Sequence, residues 1–95
     1  MSLFDEVLEE TSLVEAQGKG QRAGQLLRDE VFLSVLDDVE MNVLTAWRDA
    51  QSVEARERCH AQLFGLAEVR RVLAAYEGDG KVAEHKIEQQ ELEVE

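Results

Sequence analysis

The side chains best suited to chemistry lie together in the segment Glu57-Arg58-Cys59-His60. A Glu-x-x-His spacing places Glu57 and His60 on one face of a helix, as in the di-iron sites of helical bundles. Such a site also needs carboxylates from a facing helix, and a hairpin that turns near residue 51 sets none directly opposite Glu57. The adjacent Cys59 and His60 diverge by about 100° around a helix, so they cannot form a nucleophile–base pair. We therefore expect no enzymatic activity, no metal ion and no cofactor.

The glycine-rich segment Gly18-Lys19-Gly20 is a second candidate site, for phosphate. It lacks the Gly-Lys-Ser/Thr sequence of a phosphate-binding loop and follows no predicted strand. Glycine is favoured in turns and unfavourable inside helices, so this segment predicts a flexible joint. The single cysteine, Cys59, excludes an internal disulfide framework.

Two long segments with helical periodicity would position these residues. They run from about 31 to 50 and from about 53 to 77, contain no proline, and flank a break at Ala50-Gln51-Ser52. Ser52 is a suitable N-cap for the second helix, and Gly78 is a natural stop for it. The pattern predicts an all-α fold, a long antiparallel helical hairpin preceded by an N-terminal helix.

Apolar residues at alternating steps of three and four define the predicted seam of the hairpin. In the first helix they are Phe32, Leu36, Val39, Val43, Ala46 and Ala50. In the second helix they are Cys59, Leu63, Leu66, Val69, Leu73 and Tyr76. We expect Leu36, Val43, Leu66 and Leu73 to be buried there.

The predicted organisation has three parts. Residues 1–20 form an acidic segment with a short helix and the glycine joint, and residues 21–80 form the hairpin domain. Residues 81–95 contain many acids and few apolar side chains, so we expect an acidic, partly disordered C-terminal tail.

The charge of the chain limits its partners. It carries 21 Asp and Glu residues against 10 Lys and Arg, a net charge of −11, and the acidic excess lies mainly at the two ends. Direct nucleic-acid binding needs a basic face, so we expect none. Binding to a basic partner, or mimicry of nucleic acid, stays open. No apolar run approaches the roughly 20 residues of a membrane span, so we expect no membrane association.

A small helical hairpin buries little surface, which predicts association with other chains. The first long helix has a second apolar stripe that one partner helix cannot cover, so we expect a homo-oligomer. Trp47 fits either the core near the turn or an anchor for a partner. The candidate interface residues are Leu3, Phe4, Val7, Leu33, Leu44 and Trp47.

The stretch from Leu26 to Lys81 resembles a group of short tailed-bacteriophage proteins. The resemblance is carried by Leu26-Leu27-Arg28-Asp29-Glu30-Val31-Phe32, Ala46-Trp47-Arg48-Asp49-Ala50, Glu54-Ala55-Arg56-Glu57-Arg58, Leu63-Phe64-Gly65-Leu66-Ala67-Glu68-Val69-Arg70 and Gly80-Lys81. In that group a helical hairpin follows a variable N-terminus, and the genes lie among those for portal, capsid and packaging proteins. The resemblance implies an accessory or assembly factor of the virion, located in the host cytoplasm or the particle, with a phage structural protein or a host protein as its partner. The alternative is a phage inhibitor that blocks a host protein, for example as an acidic mimic of nucleic acid.

Overall fold

A computed structural model describes residues 2–94 of the chain, with Val94 described by its backbone alone. Three helices follow one another: α1 (Leu3–Leu27), α2 (Glu30–Asp49) and α3 (Val53–Val94). No strand occurs among the described residues. The predicted all-α class is confirmed.

Each helix begins at a side chain that accepts a hydrogen bond from a free backbone amide. The amide of Asp5 donates to Ser2 Oγ over 3.2 Å, that of Phe32 to Asp29 Oδ1 over 2.8 Å, and that of Ala55 to Ser52 Oγ over 3.1 Å. These bonds satisfy amides that have no partner within the first turn of a helix. The predicted cap at Ser52 is therefore confirmed, as is the break between the second and third helices.

The predicted joint at Gly18 and Gly20 is wrong, because α1 passes through both glycines without a break and ends at Leu27. The predicted stop at Gly78 is also wrong, since α3 continues to Val94. Residues 81–94 are therefore helical, and the expected acidic tail is not seen in this part of the chain. Glycine lowers the stability of a helix by about 1 kcal/mol relative to alanine, and tertiary packing can offset that amount.

The chain divides into two compact units that share α3. Unit 1 consists of Met1–Gln25 and Leu73–Glu95, and unit 2 consists of Leu26–Val72. Unit 1 thus pairs most of α1 with the C-terminal half of α3. Unit 2 pairs α2 with the N-terminal half of α3. The predicted division at residues 20 and 80 stays a prediction.

In unit 1 two helix backbones meet at a pair of glycines. A Cβ atom added to Gly20 would lie 2.7 Å from Gly80 Cα, and one added to Gly80 would lie 2.8 Å from Gly20 Cα. Ala23 and Ala83 are buried on the same contact side, with 3% and 2% of their surface exposed. Beside them, Lys19 Nζ lies 4.4 Å from the centre of the Tyr76 ring, a distance typical of a cation–π interaction. Close approach of the two backbones explains why α1 and α3 contain these glycines.

Larger side chains form the contact in unit 2. Leu36, Val43 and Cys59 are buried, which confirms the burial expected of all three. Leu66 is only half-buried, and Leu73 is half-buried within unit 1 rather than unit 2. Val39 was expected at the seam, but 43% of its surface is exposed. A pair of helices encloses only a narrow line of side chains, so the predicted seam was too wide.

The glycine contact predicts opposite effects for two glycines two residues apart. Gly80→Ala should lower the free energy of unfolding by about 1–3 kcal/mol, because the new methyl group meets the backbone of α1. Gly78→Ala should raise it by about 0.5–1 kcal/mol, because nothing lies within 4 Å of its added Cβ. Thermal and urea melts followed by circular dichroism measure both values. Equal shifts in the same direction for the two variants would contradict the close contact.

Candidate functional site

The residues of α3 that were considered for chemistry do not come together in the structure to form a site. Cys59 is buried, with 6% of its surface exposed, and packs as a small apolar residue. Glu57 and His60 are exposed to solvent. Within the described residues, no three His, Cys, Asp or Glu side chains are grouped so that they could hold a metal ion.

The candidate interface residues are all exposed, but they lie in different units. Leu3, Phe4 and Val7 belong to the start of α1 in unit 1, whereas the other three belong to α2 in unit 2. Half of the Trp47 surface is exposed, so its interpretation as a core residue is wrong. Exposure makes these side chains available to a partner.

One flank of α2 carries charge that contacts α3. Arg70 Nη1 lies 3.2 Å from Glu40 Oε2, and Arg70 Nη2 lies 3.4 Å from Asp37 Oδ1. Helical geometry places Leu33 and Leu44 on this same flank of α2, beside the two acids. The predicted interface residues of α2 are therefore interleaved with an interhelical ion-pair network.

The opposite flank of α2 has no charged residue between Val31 and Ala46, and sequence reasoning missed it. At 100° per residue its members fall within an arc of about 80°. Val31, Val35 and Val39 expose 73%, 51% and 43% of their surface. We name this flank the α2 strip, which consists of Val31, Val35, Val39, Asn42 and Ala46.

A similar strip runs along α3 in unit 2. Val69 exposes 46% of its surface, and a Cβ added to Gly65 would meet nothing within 4 Å. Arg58 ends the uncharged stretch on the side nearer the break between α2 and α3. The α3 strip consists of Ala61, Gly65 and Val69, which are exposed, and Val72, which is half-buried.

The signal for both strips was present in the sequence. The α2 strip has steps of four, four, three and four residues, and the α3 strip has steps of four, four and three, without a charge in either. The same residue types also fit the alternating steps of three and four of the predicted seam, so periodicity alone does not separate the strips from the seam. Two of these valines, Val39 and Val69, were assigned to the seam instead.

Unit 1 has a different surface. Its sequence holds twelve acids and four bases, a net charge of −8, whereas unit 2 holds nine acids and six bases, a net charge of −3. An open groove of about 270 Å³ runs between its helices, with acidic groups at its rim. Its lining residues are Glu10, Val14, Ile87, Gln90 and Glu91.

The ion pair between Arg71 and Glu68 lies within α3 and has only a local role. Arg71 Nη2 lies 2.9 Å from Glu68 Oε2, one turn away on α3. The hydrogen bond from Arg71 lowers the pKa of the Glu68 carboxyl below its ordinary value. Both side chains are largely in solvent, so this pair stabilises the helix surface and does not indicate a reactive group.

The chain matches no protein family, no curated protein and no solved structure. None of the helices in residues 2–94 combines the length and the apolar character needed to cross a membrane.

The ion-pair network predicts different effects for two neighbouring arginines. Arg70→Met should lower the free energy of unfolding by about 0.5–1 kcal/mol, because partly exposed ion pairs contribute about that much. Arg71→Met should have a smaller effect, because its partner Glu68 lies on the same helix and the contact between α2 and α3 stays intact. Urea denaturation in low salt measures both, and added salt should reduce the effect of Arg70→Met. A larger loss for Arg71→Met would show that the interhelical pairs contribute little.

Proposed function

We propose that this protein is a non-enzymatic bacteriophage protein that acts by helix-mediated binding, as an accessory or assembly factor of the virion. The observation that supports binding is the uncharged surface that α2 and α3 leave exposed in unit 2. Valine side chains exposed in a continuous strip are unfavourable in water, and a second helical surface can cover them.

The proposal includes an antiparallel hairpin for α2 and α3. Only three residues, 50–52, separate the two helices, which is a usual length for such a hairpin. In an antiparallel pair the flank of α3 that carries Arg70 and the flank of α2 that carries Glu40 lie on one side, as their ion pair requires. The α2 strip and the α3 strip then share the other side. We call these two strips together the uncharged face.

The bacteriophage setting comes from the resemblance of residues 26–81 to short phage proteins. That resemblance lies in unit 2 and the following turns of α3, so it covers the residues of the uncharged face. A virion protein that binds through this face would use the part of the chain on which the resemblance depends.

The second candidate function is inhibition of a host protein. It is favoured by the charge of unit 1, whose net −8 is more than twice that of unit 2. A surface of this kind attracts the basic nucleic-acid sites of other proteins. Such an inhibitor would bind through unit 1 and lose affinity as salt is added.

Mass spectrometry of purified particles distinguishes the two functions. We expect the protein in particles at a fixed copy number, and we expect Val35→Glu to reduce that copy number because it places a charge on the uncharged face. Met41→Glu is the matched control, since Met41 is 62% exposed and lies outside both strips. A protein absent from particles, with salt-sensitive binding to a purified host protein, would support the inhibitor and contradict the virion role.

A further inference from the structure

We infer that the uncharged face of unit 2 is closed by the same face of a second copy of this chain. The inference builds on the hairpin of the proposed function and names its occupant. Two helical hairpins that pack face to face make a four-helix bundle, which buries a stripe on each of four helices. The face is self-complementary in chemistry, as a two-fold symmetric contact requires.

Charge favours a second copy over a charged partner. Neither strip contains an acid or a base, and helical geometry places Asp38 beside the α2 strip and Glu68 beside the α3 strip. Two copies that meet over the strips therefore bring acids together only at the rim of the contact. Unit 2 as a whole has a net charge of only −3, whereas unit 1 has −8. Contact through unit 1 would bring like charges together, and contact through unit 2 largely avoids this repulsion.

The size of the face fits a weak but specific dimer. The α2 strip spans the 15 steps from Val31 to Ala46, which is about 23 Å along a helix, and the α3 strip spans the 11 steps from Ala61 to Val72, about 17 Å. Two helix axes 8–10 Å apart make the face roughly 20 Å wide. Closing such a corrugated face on both copies buries on the order of 1,000 Å² in total, the lower limit for specific interfaces. We therefore expect dissociation in the micromolar range.

Gly65 supplies a separate argument. Gly20 and Gly80 lie where another helix backbone of the same chain approaches, but no part of the described chain lies within 4 Å of a Cβ at Gly65. A glycine at the centre of an exposed helical strip weakens the helix and packs against nothing in its own chain. Close approach of a second copy gives Gly65 the role of Gly20 and Gly80 in unit 1, which is to let two helix backbones come into contact.

Sedimentation equilibrium of the full-length protein tests the inference. The wild type should form a dimer, Val35→Glu should raise its dissociation constant at least tenfold, and Met41→Glu should change it less than twofold. Gly65→Leu should also weaken the dimer at least tenfold while circular dichroism shows equal or higher helicity, because leucine is the better helix former. Raising the salt from 0.1 to 0.5 M should leave the wild-type dimer intact, because the face is uncharged.

The inference is overturned by a wild type that stays monomeric up to 100 µM. It is equally overturned by a dimer that responds to Met41→Glu as much as to Val35→Glu, or by one that tolerates Gly65→Leu. A dimer that dissociates with added glutamates on the Leu33 and Leu44 flank, but not at Val35, would place the interface on the charged side. Absence of the protein from particles would refute the virion role and leave the dimer unaffected, so the two proposals can fail separately.

Discussion

Two packed helices have no enclosed interior, and this constraint governs the whole protein. A helix pair covers only the line along which the helices meet, so most apolar side chains stay in solvent. Among the described residues only Ala23, Leu36, Val43, Cys59 and Ala83 are buried apolar side chains. No large side chain in that part of the chain is fully buried. The structure must therefore gain stability from very close contact or from surfaces outside the chain.

The two units meet this constraint in different ways. Unit 1 uses close contact, because Gly20 and Gly80 let two backbones approach until no side chain fits between them. Such contact gains dispersion energy along the backbone while burying little apolar side-chain surface. Unit 2 uses larger side chains, centred on Leu36 and Val43, and adds the ion pairs of Arg70 on one flank. Its other flank leaves Val31, Val35 and Val39 exposed.

The sequence was sufficient to predict what depends on local forces. Periodicity predicted the helices, and the capping preference of Ser52 predicted the start of α3. The predictions that proved wrong concerned glycines and the acidic C-terminal segment. Glycine disfavours a helix locally, and the composition of an acidic segment fits either a helix or a disordered tail. The helix through Gly80 is stabilised by the contact of Gly80 with Gly20, which lies sixty residues away in the sequence. No local sequence pattern reveals such a contact. The candidate interface residues are exposed, as an interface requires, and their role stays a prediction. The α2 strip was not predicted, because its place on α2 depends on which flank contacts Arg70.

The proposed dimer would link the folding of unit 2 to the concentration of the protein. If only the native hairpin presents the α2 strip and the α3 strip together, then a second copy binds the folded chain and not the unfolded one. Binding of that kind stabilises the folded state by an amount that grows with the concentration of free protein. The contact at Gly20 and Gly80, by contrast, is complete within one chain and gains nothing from association. The two halves of α3 thus differ: around Gly80 the stabilising contact lies within one chain, whereas around Gly65 the proposed dimer would supply it.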